Sequence, residues 1–170
     1  MKKLIFYRIL TYLLLAIAGI IAFFVLGGLL AALANPVMLI FVFLMACVVI
    51  YSYCSFRFLS RGIDAHMYCK PSLRDLIRVN GIGTLVLGGM AFMNAVVLKM
   101  NPEMLNTAID QALSMQKEEV EGLEEMMYST MKSMLNFLLV YGLLLLIHVS
   151  MTFRLLKQHA DAFDTPTGQE

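Results

Sequence analysis

The sequence predicts an all-α integral membrane protein: a four-transmembrane-helix bundle, N and C termini cytoplasmic, with helices 3 and 4 extended outside as an amphipathic helical hairpin. Three observations predict it. The 170 residues are 60% hydrophobic and 15% charged, against roughly 45–50% and about 25% in soluble domains. Four runs are apolar for long enough to cross a hydrocarbon core, which takes about 20 residues as helix. The charges are sorted as well: ten of the 13 Lys and Arg lie before span one, between spans two and three, or after span four, whereas seven of the 12 acids share one other segment. Basic residues are retained on the cytoplasmic side, so an even number of spans and the charge bias give the same threading. A net charge of +1 supplies no global field for nucleic acid.

The first span, 9–34, carries no charge in 26 residues and can cross with tilt. Lys2, Lys3 and Arg8 before it and Ala-Ala-Leu-Ala at its end resemble a cleavable leader. A leader's apolar region is about 7–15 residues, and this run far exceeds that. Gly19, Ala22, Gly27, Gly28, Ala31 and Ala32 give the helix a small-residue surface for close packing. Asn35–Pro36 is so short a connection that spans one and two must be antiparallel neighbours.

Span two covers 37–56, and 57–80 is read as a cytoplasmic loop. Ser72 to Asp75 after Pro71 reads as a helix start of capping-box type, so a helix from about Leu73 runs into span three, 81–98. Arg57 and Arg61 are four apart, as are Arg74 and Arg78. Such pairs anchor a threading at the head groups; they are also the candidates for binding a lipid head group or phosphate. His66 and Cys69, with Asp64 and with His159 and Asp161 of the tail, have ligand types that suit zinc. Their spacing matches no established metal pattern.

The acidic segment, 99–132, explains itself by periodicity. Asn101, Pro102 and Glu103 read as N-cap, first helical position and acidic first turn. Apolar residues then recur at helical spacing: Leu105, Ile109, Leu113, and later Leu123, Met127, Met131 and Met134. A single helix running from Ile109 into span four would lift Ile109 roughly 36 Å above the membrane. The few residues after Leu98 cannot climb that far, so a turn is expected near 114–118, between arms at 102–115 and 118–132. Gly122 is the weak point of the second arm, or marks the break itself. Glu118, Glu121, Glu124 and Glu125 would then be exposed, as a solvated outer face or as the docking surface of a partner.

Span four, 133–153, leads into a tail, 154–170. No Asp, Glu, Lys or Arg lies in a span core, and His148 is the one exception to that lack of charge-bearing side chains; intramembrane ionisable groups flag function. Its alternatives are a bond to a carbonyl or hydroxyl near Ser52, Tyr53 or Ser55, or a proton or metal role with Tyr141. Asn94 and Asn136 read as interhelical hydrogen bonders. Met127 and Met131 lie on one stripe with Met134; thioethers are soft ligands that suit Cu(I), and equally adaptable core packing.

No CxxC, HExxH, GxSxG or P-loop occurs. Cys47, Cys54 and Cys69 are placed where disulfides are not expected. The expectation is therefore a non-enzymatic multi-pass protein without cofactor. It would be a small scaffold or accessory subunit in a cell membrane, of bacterial inner-membrane type, working with a membrane-protein partner or as a homo-oligomer. The rival classes are an oligomeric transporter or channel for a metal ion or small solute, and a lipid-modifying enzyme built on the arginines and His148.

Overall fold

The computed structural model describes residues 2–114 and 122–164, with side chains from Leu4 onward. It is all-helical, with no strand among the described residues. The helices are α1 (Lys2–Ala34), α2 (Met38–Arg57), α3 (Pro71–Met100), α4 (Pro102–Ser114) and α5 (Leu123–Gln158). α2 continues without a break into a π-helical turn, Phe58–Asp64, and α5 is followed by a 3-10 turn, Ala160–Phe163. Four stretches are long and apolar enough to cross a membrane: Leu4–Ala34, Met38–Asp64, Pro71–Met100 and Leu123–Gln158. Phe23, Phe24, Leu30 and Leu33 of α1 are exposed. In water such a surface costs roughly 25 cal/mol per Å²; a lipid bilayer solvates it.

The chain forms two compact units, Met1–Leu87 with Leu144–Glu170, and Gly88–Leu143. In the first, α1 and α2 pack together across the short turn predicted for them. Asn35 holds that turn: its side-chain oxygen accepts from the Val37 N–H at 3.2 Å and its carbonyl from the Met38 N–H at 3.0 Å. The small-residue face of α1 is only partly used. A Cβ added at Gly28 would lie 2.9 Å from the Val42 side chain, and Ala32 is buried, but Gly19 and Gly27 face open space. Two glycines of α3 are packed, since an added Cβ would lie 2.9 Å from the Phe153 ring at Gly81 and 2.8 Å from Cys47 Sγ at Gly83, whereas one at Gly89 would meet nothing within 4 Å.

The segment 57–80 is not a loop. Phe58, Leu59 and Ile63 are buried with Tyr7, Cys69, Ile77 and Phe163 in one cluster, and that burial carries the helix past the charges that seemed to end it. Only residues 65–70 link it to α3. Nor does α3 start by a capping box. Pro71 is its first residue and Ser72 already lies inside it, while the Lys70 carbonyl accepts from the Leu73 N–H at 2.9 Å. Pro at the first position gives up an N–H that has no helical partner anyway. The C-terminal tail is likewise partly structured: Phe163 is buried and stacks on Phe58, ring centroids 5.4 Å apart.

The second unit contains the end of α3, α4 and the start of α5. Ala95, Leu105, Ile109 and Leu135 are buried together, with Leu113, Met127 and Met131 packed against them. The predicted apolar stripe is therefore a core. Asn101 departs from its expected role: its side-chain amide donates back to the Val97 carbonyl at 2.9 Å, and its own carbonyl accepts from Met104 at 3.1 Å. It closes α3 rather than capping α4 with its side chain. The predicted turn around 114–118 lies outside the described residues apart from Ser114, the last residue of α4. Gly122 precedes α5 at φ +78°, a conformation that costs an L side chain roughly 1–2 kcal/mol, so a break stands at this glycine. Gly142 allows a close backbone approach: an added Cβ would meet the Gly88 carbonyl oxygen at 2.9 Å.

Candidate functional site

The polar centre of the first unit is His148, fully buried on α5. Helical spacing puts Thr152 one turn beyond it and Thr11 one turn beyond Tyr7 on α1; α2 supplies Tyr51. His148 Nε2 lies 2.9 Å from Thr11 Oγ1 and Nδ1 lies 2.7 Å from the Tyr51 hydroxyl. Thr152 Oγ1 is 2.8 Å from the Tyr51 hydroxyl and 3.1 Å from that of Tyr7. The Tyr7 and His148 rings stack, with centroids 4.9 Å apart and planes within 6°.

One assignment of protons satisfies the whole set. The Nε2–H donates to Thr11, whose hydroxyl donates to the Tyr7 carbonyl at 2.8 Å. Tyr51 donates to Nδ1. Tyr7 donates to Thr152, which shares its own proton between the Tyr51 oxygen and the His148 carbonyl, 2.9 Å away. In that assignment the imidazole is neutral; in any assignment it ties α1, α2 and α5 through hydroxyls, with both of its nitrogens occupied. The Tyr51 hydroxyl, next to Ser52, is a partner of the kind expected from α2, whereas Thr11 of α1 is unexpected and Ser52, Tyr53 and Ser55 themselves do not bond the ring. Ser55 bonds the Ser52 carbonyl at 3.0 Å, and Tyr53 is exposed. Tyr141 stacks on Phe137, its hydroxyl buried without a partner among the described residues.

A second polar place is the elbow between α2 and α3. A cavity of about 390 Å³ is lined there by Arg57, Arg61, Lys70 and Ser72, with Tyr53 and Leu76 among its apolar walls. Arg57 and Arg61 end α2 and its π-helical continuation, and Lys70 and Ser72 flank the first residue of α3. Of the four predicted arginines, Arg57 and Arg61 are brought together. Arg74 is turned to other contacts: its guanidinium carbon lies 5.8 Å from the Phe163 ring centroid and its Nε 3.8 Å from Asp75. Arg78 is exposed and does not line the cavity. Lys70 and Ser72 are the partners that spacing missed. Burial pushes the Cys69 thiol beside this cavity up, against a smaller downward pull from Arg61 and Arg57.

The remaining candidates are dispersed. His66, His159 and Asp161 do line one cavity, of about 210 Å³, so loop and tail meet as the zinc reading supposed. Even so, no three His, Cys, Asp or Glu among the described residues are grouped to hold a metal. Cys69 is buried in the apolar cluster, its N–H donating to the Ala162 carbonyl at 2.8 Å. Asp64 pairs with Arg8. Met127 and Met131 are half-buried and pack against the core of the second unit, while Met134 is exposed. Glu124 and Glu125 are exposed and, with Asp110, line a cleft of about 400 Å³; Glu118 and Glu121 lie outside the described residues. Asn136 makes the expected interhelical bond, accepting from Lys99 Nζ at 2.7 Å. No family model, curated protein or solved structure matches the chain.

Proposed function

We propose that this chain is a non-enzymatic multi-pass membrane protein, a small scaffold or accessory subunit of a bacterial inner-membrane type of bilayer. Its termini and its α2–α3 elbow face the cytoplasm, and its acidic hairpin faces outward. The observation that carries the reading is the engagement of His148. The single histidine in a span core has both ring nitrogens bound by hydroxyls of neighbouring helices. That geometry suits a clamp, because a ligand or proton acceptor would have to displace a satisfied buried partner at roughly 1–3 kcal/mol. Met127 and Met131, on which metal transport would rest, are committed to packing.

The hairpin is the surface left for a partner. It has its own apolar cluster, and its cleft presents Asp110, Glu124 and Glu125, a charge pattern complementary to a basic segment of another membrane protein or of a second copy. Rim charges of this kind act on recognition and on-rate more than on raw affinity. A photo-crosslinker at Tyr128, followed by co-purification of the full chain from native membranes, tests this. The expected result is one discrete adduct, diminished when Glu124→Lys and Glu125→Lys are combined. An unchanged set of adducts in the charge-reversed chain, or none in the parent, would contradict it.

A further inference from the structure

We propose that the elbow cavity is a binding site for the phosphate of an anionic phospholipid. Its charge comes from two sides. Arg57 and Arg61 contribute guanidinium groups from the end of α2, and Lys70 contributes an ammonium group from the link before α3. Among the described residues, neither Asp nor Glu lines the cavity and none of these three cations forms an ion pair. Three unneutralised cations facing one cavity of about 390 Å³ form an arrangement that an anion stabilises, since guanidinium groups bind phosphate oxygens in pairs. Ser72 adds a hydroxyl. It is the second residue of α3, in the turn where main-chain N–H groups lack helical acceptors and the helix dipole is positive.

The apolar part of the lining selects the source of that phosphate. Tyr53, Tyr68 and Leu76 are exposed around the cations, and Tyr53 and Leu76 stand on the two stretches long and apolar enough to cross a membrane. A free ion has no use for such walls, whereas a lipid lays its glycerol and first methylenes on them. α2 and α3 are joined by residues 65–70 alone, so both helix ends lie at the same membrane face, at head-group level, whichever face that is. The absence of a lining carboxylate also chooses among lipids: a choline or ethanolamine head group would bring its own cation with nothing to pair it. The ligand is therefore a lipid of net negative charge, of the phosphatidylglycerol class.

The test uses the full chain in detergent. Native mass spectrometry counts retained lipid after exposure to phosphatidylglycerol or phosphatidylcholine, and melting is followed in parallel. Wild type should retain the anionic lipid in preference, and Arg57→Gln with Arg61→Gln should lower that retention by about 25-fold, at roughly fivefold for each cation facing the phosphate. Lys70→Gln, in the exposed link, gives the same direction by a route that leaves both helices intact. Arg78→Gln, a cation outside the cavity, should change retention by less than about twofold. Equal losses in Arg78→Gln and the cavity variants would mean diffuse surface charge and overturn the site. Equal retention of both lipids would overturn the charge selection. Stabilisation by inorganic phosphate matching that by phosphatidylglycerol would overturn the lipid as its occupant.

Discussion

His148 shows how one residue can be visible in a sequence while its role is not. It stands out as the sole histidine in a span core without Asp, Glu, Lys or Arg, but the hydroxyls that bind it come from Thr11 and Tyr51, 137 and 97 residues away. Spacing within α1 and α5 puts Tyr7 with Thr11 and His148 with Thr152; nothing in a one-dimensional pattern aligns α2 against them. The prediction at this scale concerns stability. His148→Leu keeps most of the volume but takes one partner from each of the Thr11 and Tyr51 hydroxyls, which keep the Tyr7 carbonyl and Thr152. At roughly 0.5–1.5 kcal/mol for each hydrogen bond lost, the two bonds together make a loss of about 1–3 kcal/mol, read as a lower unfolding midpoint in detergent. A variant as stable as the parent would show that the hydroxyls find other partners and that the clamp is not one. The arginines teach the same lesson. Four-residue spacing pairs Arg57 with Arg61 and Arg74 with Arg78 equally well, but only the first pair lines the cavity with Lys70. The second is divided between the Phe163 ring and open surroundings.

The four membrane-length helices were legible because lipid forces the backbone to satisfy itself within each segment, so a long apolar run has one solution. The elbow was misread because charge was weighted over periodicity. Arg57, Arg61 and Asp64 interrupt the apolar window, yet Phe58, Leu59 and Ile63 keep the helix going by burying their side chains. Phe163 shows the opposite case, a single aromatic in a polar tail that buries itself against Phe58. The apolar stripe of the acidic segment was legible, since Leu105 and Ile109 are buried with Met127 and Met131 packed against them, and so was Gly122, whose positive φ stands at the entry to α5. Helix packing gives a sharp contrast between two glycines. Gly142→Ala drives a Cβ to 2.9 Å from a main-chain oxygen and 3.1 Å from a main-chain nitrogen, atoms that cannot rotate away. A loss of about 1–3 kcal/mol is expected from such overpacking. Gly19→Ala meets nothing within 4 Å and should be neutral or stabilising by up to about 1 kcal/mol, the helix-propensity gain. Midpoints that move together would contradict the packing assigned to these faces.

For the whole molecule, apolar length and charge placement act on different questions. Length gives the number of crossings, and all four candidate spans are helices of 27 to 36 residues. Charge gives the sidedness, which no internal contact of the protein can supply, because it depends on which face of the membrane Lys and Arg fail to leave. The elbow cavity requires only that α2 and α3 end at one face, but the acidic hairpin as a docking surface requires that this face be the cytoplasmic one. The direct measurement is labelling of sealed cells by a membrane-impermeant maleimide, with Cys47, Cys54 and Cys69 first replaced by alanine and Ser72→Cys or Glu124→Cys then introduced singly. The Glu124→Cys chain should be labelled in intact cells, and the Ser72→Cys chain only after permeabilisation. Labelling of position 72 in intact cells, with 124 protected until the membrane is opened, would reverse the threading and contradict the outward-facing hairpin.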